Sequence, residues 1–137
     1  MPNNDYEKVA LTLEFAVKKH INQTRKDGTP FIIHPMRVKD FIAHLRIENN
    51  CELLVSALLH DTLEDTDTSY EELVSNFGSN VANLVLEVTN DEEEKKRKGK
   101  EKYLREKMVE MSDNALILKL ADRLDNVSDL AVTAEAF

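Results

Sequence analysis

Four ionisable side chains stand close together in LLHDTLEDT, residues 58–66, directly after an apolar run. His60 lies four residues before Glu64. Asp61 likewise lies four residues before Asp65, so on one helix all four would form a polar patch over about a turn and a half. Burying an unpaired charge costs on the order of several kcal/mol, so most core helices lack such acids. These four side chains therefore need partners or a function that offsets this cost.

A second polar patch lies in KLADRLDN, residues 119–126, where Asp122 and Asn126 are four residues apart. Asp122 follows Leu118, Leu120 and Ala121, so its carboxylate is predicted to point inward. His34 ends a glycine–proline loop earlier in the chain. Two histidines with two carboxylates suit a mixed nitrogen and oxygen site for a divalent metal, with positions left for water or substrate. Ligand chemistry alone leaves zinc, iron and manganese open.

Each of these residues also has a purely structural explanation. A buried histidine more often only hydrogen-bonds within a core, and an acid such as Asp122 can simply pair with a neighbouring arginine. Spacing alone therefore does not decide between a metal site and ordinary packing. His20 and His44 lie outside any matching acid cluster, so we predict structural roles for both.

Composition limits the classes of protein to which the chain can belong. The 137 residues are 42% hydrophobic and 32% charged, with a net charge of −8, which suits one soluble globular domain. No apolar run approaches the ~20 residues of a membrane span, and residues 1–10 lack the features of a signal peptide. Cys51 is the only cysteine, so a reducing cytoplasm fits. The charge argues against nucleic-acid and membrane partners, so a small anionic substrate would need a metal or a local basic cluster.

Long 3.6-residue periodicities, separated by few glycines and prolines, predict an all-α fold without internal repeats. A structured loop over residues 25–35 separates the first two helices, and Pro35 is well placed at the start of the second. A third helix is predicted after Asn50, and it would carry LLHDTLEDT. The residues predicted to face inward are Val9, Leu13, Ala16, Val17 and His20 in the first helix and Val38, Phe41, Ile42 and Leu45 in the second.

Capping signals place the later helices. A serine or threonine three residues before a glutamate resembles a capping box, and the overlapping candidates are Ser69–Glu72 and Thr68–Glu71. That helix should end at Gly78, and Ser79 should cap the next one. A last helix should begin near Ser112. In the helix capped by Ser79, the residues predicted to face inward are Val81, Leu84, Val85 and Val88.

Residues 91–107 are the one change in composition, since they are almost entirely charged. Three pairs four residues apart have the acid on the favourable N-terminal side, namely Glu92–Lys96, Glu93–Arg97 and Glu94–Lys98. The segment is either a solvated helix or mobile connection, or its lysines form a basic rim beside an anionic ligand. Gly99 is predicted to interrupt it.

Four blocks in this order carry a resemblance to a known family: HINQTRKDGTPFIIHP, ALLHDTLEDTDTSYEELVSNFG, EVTND and LKLADRLDNVSDL. They resemble the (p)ppGpp hydrolase domain of the RelA/SpoT family, within the HD superfamily of metal-dependent phosphohydrolases, and above all its small stand-alone members. The likeness covers roughly residues 5–131. It implies a compact helical HD-domain bundle, with residues 1–137 as a single hydrolase domain.

The resemblance also implies roles for the polar residues. The residues that match the ligands of one metal ion, usually manganese, are His34, His60, Asp61 and Asp122. The residues that match the catalytic acid pair are Glu64 and Asp65. The residues that match those lying against the nucleotide and its phosphates are Arg25, Lys26 and Asn126. The implied reaction removes the 3′-pyrophosphate of the alarmones ppGpp and pppGpp to give GDP or GTP.

Two other functions stay open. One is another HD nucleotide phosphohydrolase, acting on ppApp, on the 2′-phosphate of NADPH or on a 5′-nucleotide. The other is a non-catalytic domain that senses a nucleotide. The RKDGTP loop favours the alarmone branch, and the intact acids Glu64 and Asp65 favour catalysis. The purine base, the number of 5′ phosphates and a homo-oligomeric state stay open.

Three features depart from the family pattern. Phe31 stands where tyrosine is common, which removes a hydroxyl from the loop. Asp125 stands where histidine or tyrosine is common, which is expected to add negative charge near the site. The chain ends at Phe137, where relatives usually continue with helical sequence. From this pattern we expect the domain to be truncated, minimal or completed by another subunit.

Overall fold

Nine helices and no strand make up residues 4–135, which are the residues that this computed structural model describes, with side chains described up to residue 128. Their bounds are α1 Asp5–Lys19, α2 Ile33–His44, α3 Cys51–Leu59, α4 Thr62–Asp65, α5 Tyr70–Phe77, α6 Ser79–Val88, α7 Glu92–Lys98, α8 Lys100–Glu110 and α9 Asp113–Glu135. An isolated bridge between Thr24 and Pro30 closes the loop after α1. The all-α prediction is confirmed. None of the helices in this part of the chain is long and apolar enough to span a membrane.

Helix α3 lies at the centre of the molecule, because it packs against α1, α2, α6 and α9. All of its side chains from Val55 to Leu59 are buried, which a helix surrounded on every side requires. One core cluster joins α3 to α2, α6 and α9, and a second joins it to α5 and α6. The C-terminal end of α3 is therefore fixed from several directions. The first polar patch begins there.

Most residues predicted to face inward do so, but three do not. Val17 is 42% exposed, and Phe41 and Leu45 are 40% and 50% exposed. The prediction is wrong for these three because the buried stripe of each helix is narrower than the apolar stripe. In α1, for example, burial is confined to Thr12 and Ala16, where the helix packs on α3.

The caps of α5 are the predicted ones. The Ser69 hydroxyl accepts the backbone N–H of Glu72 at 3.0 Å, so the Ser69–Glu72 pair marks the start of the helix. Gly78 ends it with φ +90°, a value that L side chains rarely adopt. The prediction for Ser79 was wrong by one residue. Because the chain enters α6 directly after the glycine turn, Gly78 is the cap and Ser79 is the first helical residue.

The charged segment forms two helices, α7 and α8, rather than one. Gly99 separates them with φ +88°, as predicted. The predicted pair between Glu94 and Lys98 forms at 2.7 Å. The Lys98 ammonium also contacts Glu106 of α8 at 2.8 Å, so it links the two helices across the turn.

Candidate active site

We predicted that one helix carries LLHDTLEDT, and this prediction is wrong. The chain leaves α3 where the first polar patch begins. Helix α3 ends at Leu59, and Asp61 has φ −101° and ψ 1°, outside the helical range. Nδ1 of the His60 ring donates to the Ala57 carbonyl at 2.7 Å. The Thr62 hydroxyl donates to the Leu59 carbonyl, also at 2.7 Å. Such side-chain bonds compete with helical ones and let the backbone turn here. The turn aims His60 and Asp61 at one point.

Four side chains from three segments meet at that point. They are His34 of α2, His60 and Asp61 of the turn after α3, and Asp122 of α9, each offering one ligand atom within 4.8 Å of the others. The Nε2 atoms of His34 and His60 are 3.2 Å apart. Oδ1 of Asp122 lies 2.8 Å and 3.1 Å from these two nitrogens. These are the four residues that the family resemblance implies as ligands of one metal ion.

The outer partners of the two histidines determine which ring nitrogen has the free lone pair. The Ala57 carbonyl can only accept, so His60 donates from Nδ1. Nδ1 of His34 lies 2.6 Å from the Asp125 carboxylate and donates to it. In the neutral rings, both Nε2 lone pairs therefore point at each other and at the carboxylate oxygens. Groups that all accept need a cation between them, so the site fits a divalent metal ion.

Asp125 lies at the site, where it was expected to add negative charge, but its contact with His34 was not foreseen. It is 8% exposed. Its carboxylate pairs with Nε of Arg37 at 2.9 Å and accepts a hydrogen bond from the His34 ring. The Arg25 guanidinium lies 3.6 Å away. Asp125 does add negative charge near the site, as expected; two arginines offset this charge, and the carboxylate holds His34 in place. Its position three residues after Asp122, on the same helical face, was the available signal.

Burial and charge act in opposite directions on the ionisable groups of this cluster. Burial lowers the pKa of His60, but the charge of Asp61 and the hydrogen bond to Asp122 raise it well above its ordinary value. Burial raises the pKa of Asp122, but bonds from His34 and His60 hold it far below its ordinary value. Burial raises the pKa of Asp61, but the charge of His60, the hydrogen bond from its ring and the charge of His34 together bring this pKa below its ordinary value. The cluster therefore favours ionised carboxylates beside positive charge, which a metal ion would supply in place of protons.

The second pair of acids differs from Asp61 and Asp122 in the direction of its pKa shifts. Glu64 and Asp65, on the short helix α4, each offer an oxygen within 4.8 Å of Asp61. Burial and the charge of Asp61 raise the pKa of both carboxyl groups, although the backbone N–H of Asn90 bonds Glu64 at 2.9 Å and acts against this. Carboxylates with a raised pKa next to a cation site are suited to accept a proton from water.

A cavity of about 690 Å³ opens over both groups of acids. Its cationic lining residues are Arg25, Lys26, Lys95, Lys100, Lys119 and Arg123. The Arg25 guanidinium donates to the side chain of Asn126 at 3.3 Å, so the three residues predicted to lie against a nucleotide do line one cavity. Lysines of α7 and α8 are on its rim, as one of the two interpretations of residues 91–107 predicted. These six cations stand beside five lining carboxylates, those of Asp27, Asp61, Glu64, Asp65 and Asp122. The cavity is therefore less negative than a chain with a net charge of −8 would suggest.

Lys119 is a cavity residue that sequence reasoning missed. It is 7% exposed, and its ammonium lies 3.8 Å from Oδ2 of Asp122. The three-residue spacing from Asp122 was again the signal.

Phe31 supports the metal-site histidine through its ring. Its centroid lies 5.9 Å from that of His34 and 4.8 Å from that of His20. His20 is buried, and its Nδ1 pairs with Gln23 at 2.8 Å. The Phe31 ring therefore contacts both histidine rings.

The family follows from the comparison with known proteins. Residues 12–136 match the model of the family described as HD domain. Two histidines and two aspartates gathered in a helical bundle agree with this match. The chain therefore belongs to the HD-domain family.

Two curated relatives indicate the group to which the chain belongs within the HD-domain family. The guanosine-3′,5′-bis(diphosphate) 3′-pyrophosphohydrolase of Aquifex aeolicus is 43% identical over 131 residues, which are 94% of this chain and 18% of that protein. The enzyme of that name called MESH1 in Danio rerio is 45% identical, over 87% of this chain and 67% of its own length. Within the HD-domain family, the chain groups with these pyrophosphohydrolases, and the predicted resemblance is confirmed. It spans about two thirds of the zebrafish protein and less than a fifth of the bacterial one.

Solved structures agree with the sequence comparison. A metazoan orthologue of SpoT, described as hydrolysing ppGpp and playing a role in starvation responses, superposes with a TM-score of 0.80 at 36% identity. The match covers 96% of this chain and 73% of that one. A protein of Listeria monocytogenes EGD-e superposes with a TM-score of 0.66 at 27% identity, over 80% of this chain and 68% of that one.

Proposed function

We propose that this chain hydrolyses the 3′-diphosphate of guanosine tetra- or pentaphosphate with one manganese ion, releasing pyrophosphate and GDP or GTP. The names of the curated relatives supply the substrate. The observation that carries the proposal is the convergence of four metal-ligand side chains beside two acids of raised pKa, inside a cavity lined by cations. The reducing cytoplasm favoured by the single cysteine, Cys51, is part of the same proposal.

His34, His60, Asp61 and Asp122 would hold the metal ion. When bound, the ion would supply an acidic water and positive charge to offset the phosphate oxygens. Glu64, with Asp65 beside it, would orient the attacking water and take up its proton. Attack on the phosphorus attached to the 3′ oxygen breaks the bond between them, and the departing 3′ oxygen is protonated. The products are pyrophosphate and a nucleoside 5′-di- or triphosphate.

Arg25, Lys26 and Asn126 would bind the nucleotide from the loop and from α9. Arg25 is already held by Asn126 and Asp125, so its guanidinium is fixed before a ligand arrives. A fixed guanidinium loses less side-chain entropy on binding a phosphate than a mobile one does. Lys26 is exposed at the cavity mouth and suits the outer phosphates.

The direct test is product identification. Purified protein with manganese should convert ppGpp to GDP and pyrophosphate, measured by anion-exchange chromatography, while ppApp and NADPH serve as competing substrates. Turnover of NADPH or of 5′-nucleotides alone, or release of single phosphates, would assign the chain to another branch of the HD family. Binding without turnover when metal is bound would support the sensing alternative.

Replacing Arg25 with alanine should raise KM for ppGpp about 10-fold or more and lower kcat less. A hydrogen bond to a charged group contributes ~1.5–3 kcal/mol, and contact with a non-reacting phosphate acts mainly on ground-state binding. Steady-state kinetics at several salt concentrations measures this, and the variant should lose part of the salt dependence of KM. Lys18→Ala removes the same charge from the exposed surface of α1 and serves as the control. An unchanged KM in Arg25→Ala would exclude Arg25 from the binding site.

A further inference from the structure

The peptide unit between Thr89 and Asn90 connects Glu64 to a lysine of α8. Its N–H group, which belongs to Asn90, donates to Oε1 of Glu64 at 2.9 Å. Its carbonyl, which belongs to Thr89, accepts from the ammonium of Lys107. The two ends of one planar amide therefore join an ammonium to a carboxylate.

The neighbouring peptide is held by the same helix. The hydroxyl of Tyr103 accepts the N–H of Asp91 at 2.7 Å. The Lys107 ammonium lies 3.3 Å from this hydroxyl and 5.5 Å from the centre of the Tyr103 ring. Tyr103 is 5% exposed and Lys107 is partly buried, so water competes little for these bonds. Helix α8 thus fixes the orientation of two consecutive peptide planes between α6 and α7.

Charge makes this arrangement more than a structural brace. An ammonium on a carbonyl oxygen polarises the amide, which strengthens its N–H as a donor. Burial lowers the pKa of Lys107, and the negative charge of Glu64 is the main influence that raises it. The charges of Lys107 and Glu64 therefore interact across the peptide without direct contact.

We propose that Lys107 is a positioning residue for Glu64, acting through the Thr89–Asn90 peptide. This inference rests on the proposed function, in which Glu64 activates the attacking water. The polarised peptide holds Oε1 of Glu64 on the N–H of Asn90, and both residues line the cavity. Without Lys107, the Thr89 carbonyl loses this partner, and the hydrogen bond that orients Glu64 weakens.

Replacing Lys107 with methionine, which keeps the length and removes the charge, should lower kcat about 10–100-fold with KM and metal affinity unchanged. Misplacing a reacting group by a small distance costs on the order of 10²-fold. Lys102→Met, at an exposed position of the same helix, is the matched control and should leave kcat unchanged. In the Glu64→Gln background, Lys107→Met should have no further effect, because the group that it positions has lost its function. A full additional loss there, or unchanged kcat in the single variant, would overturn the proposal.

The amide resonance of Asn90 gives a measure that does not depend on activity. In a ¹⁵N–¹H spectrum of the metal-loaded protein, Lys107→Met should shift the Asn90 amide upfield and speed its hydrogen exchange, whereas Lys102→Met should not. Lys107→Leu, which also removes the charge, provides the same test if Lys107→Met does not fold. An Asn90 amide that does not respond to either variant contradicts the inference. If the amide responds but wild-type protein leaves ppGpp intact, the positioning stands and the proposed substrate is wrong.

Discussion

Replacing Asp122 with asparagine should weaken manganese binding by more than about 100-fold and abolish turnover. One oxygen of Asp122 lies within 3.1 Å of the Nε2 atoms of both His34 and His60, so this carboxylate is the common contact of the ligand set. The amide keeps the shape and removes the negative charge. Changes to outer partners of metal ligands alone cost about 10–100-fold in affinity, so loss of a ligand should cost more.

Titration calorimetry with manganese on chelator-treated protein measures this effect. Asp113→Asn, at the exposed start of the same helix, removes one charge outside the cavity and should bind manganese as the wild type does. Wild-type affinity in Asp122→Asn would mean that the four side chains form a buried polar cluster and not a metal site.

Glu64→Gln should lower kcat by roughly 10²–10⁴-fold, the usual contribution of a general acid–base group, while metal and substrate affinity are retained. Glutamine keeps the size of the side chain, and its amide oxygen can still accept the N–H of Asn90. Only the ability to take up a proton is lost. Asp65→Asn should behave similarly, with some loss of metal because Asp65 lies close to the ligand Asp61.

Single-turnover measurements at saturating metal separate this chemical effect from binding. Glu71→Gln, at an exposed position of α5, is the control for loss of a carboxylate elsewhere. If Glu64→Gln retained full kcat, Glu64 would be only a neighbour of the reacting atoms, and Asp65 would become the candidate base.

Local signals made much of the fold predictable. Gly78 and Gly99 end helices because their positive φ values suit only glycine, and Ser69 begins α5 through a bond three residues away. The periodicity of apolar residues indicated helices but not the width of their buried stripes. That width depends on how many neighbours each helix has, and Phe41 and Leu45 were misplaced for this reason.

The site was predictable where residue type carried the information and not where tertiary contacts did. The four ligand side chains were named from their chemistry and from family blocks, and they do converge. The role of Asp125 in orienting His34 was missed because the two residues are 91 positions apart in the chain. The contribution of Lys107 passes through a backbone amide, so no pattern of side chains in the sequence could indicate it.

The three-segment origin of the ligand set also bears on how long the folded protein lasts. His34 and Asp122 are 88 residues apart in the chain, so an ion bound to both would act as a removable cross-link between α2 and α9. A ligand that binds only the folded state stabilises it by about 2.7 kcal/mol at a free concentration 100 times its Kd. A cell that withdrew manganese would then lose catalysis at once and, more slowly, the enzyme itself, as the unlinked chain became a substrate for proteases.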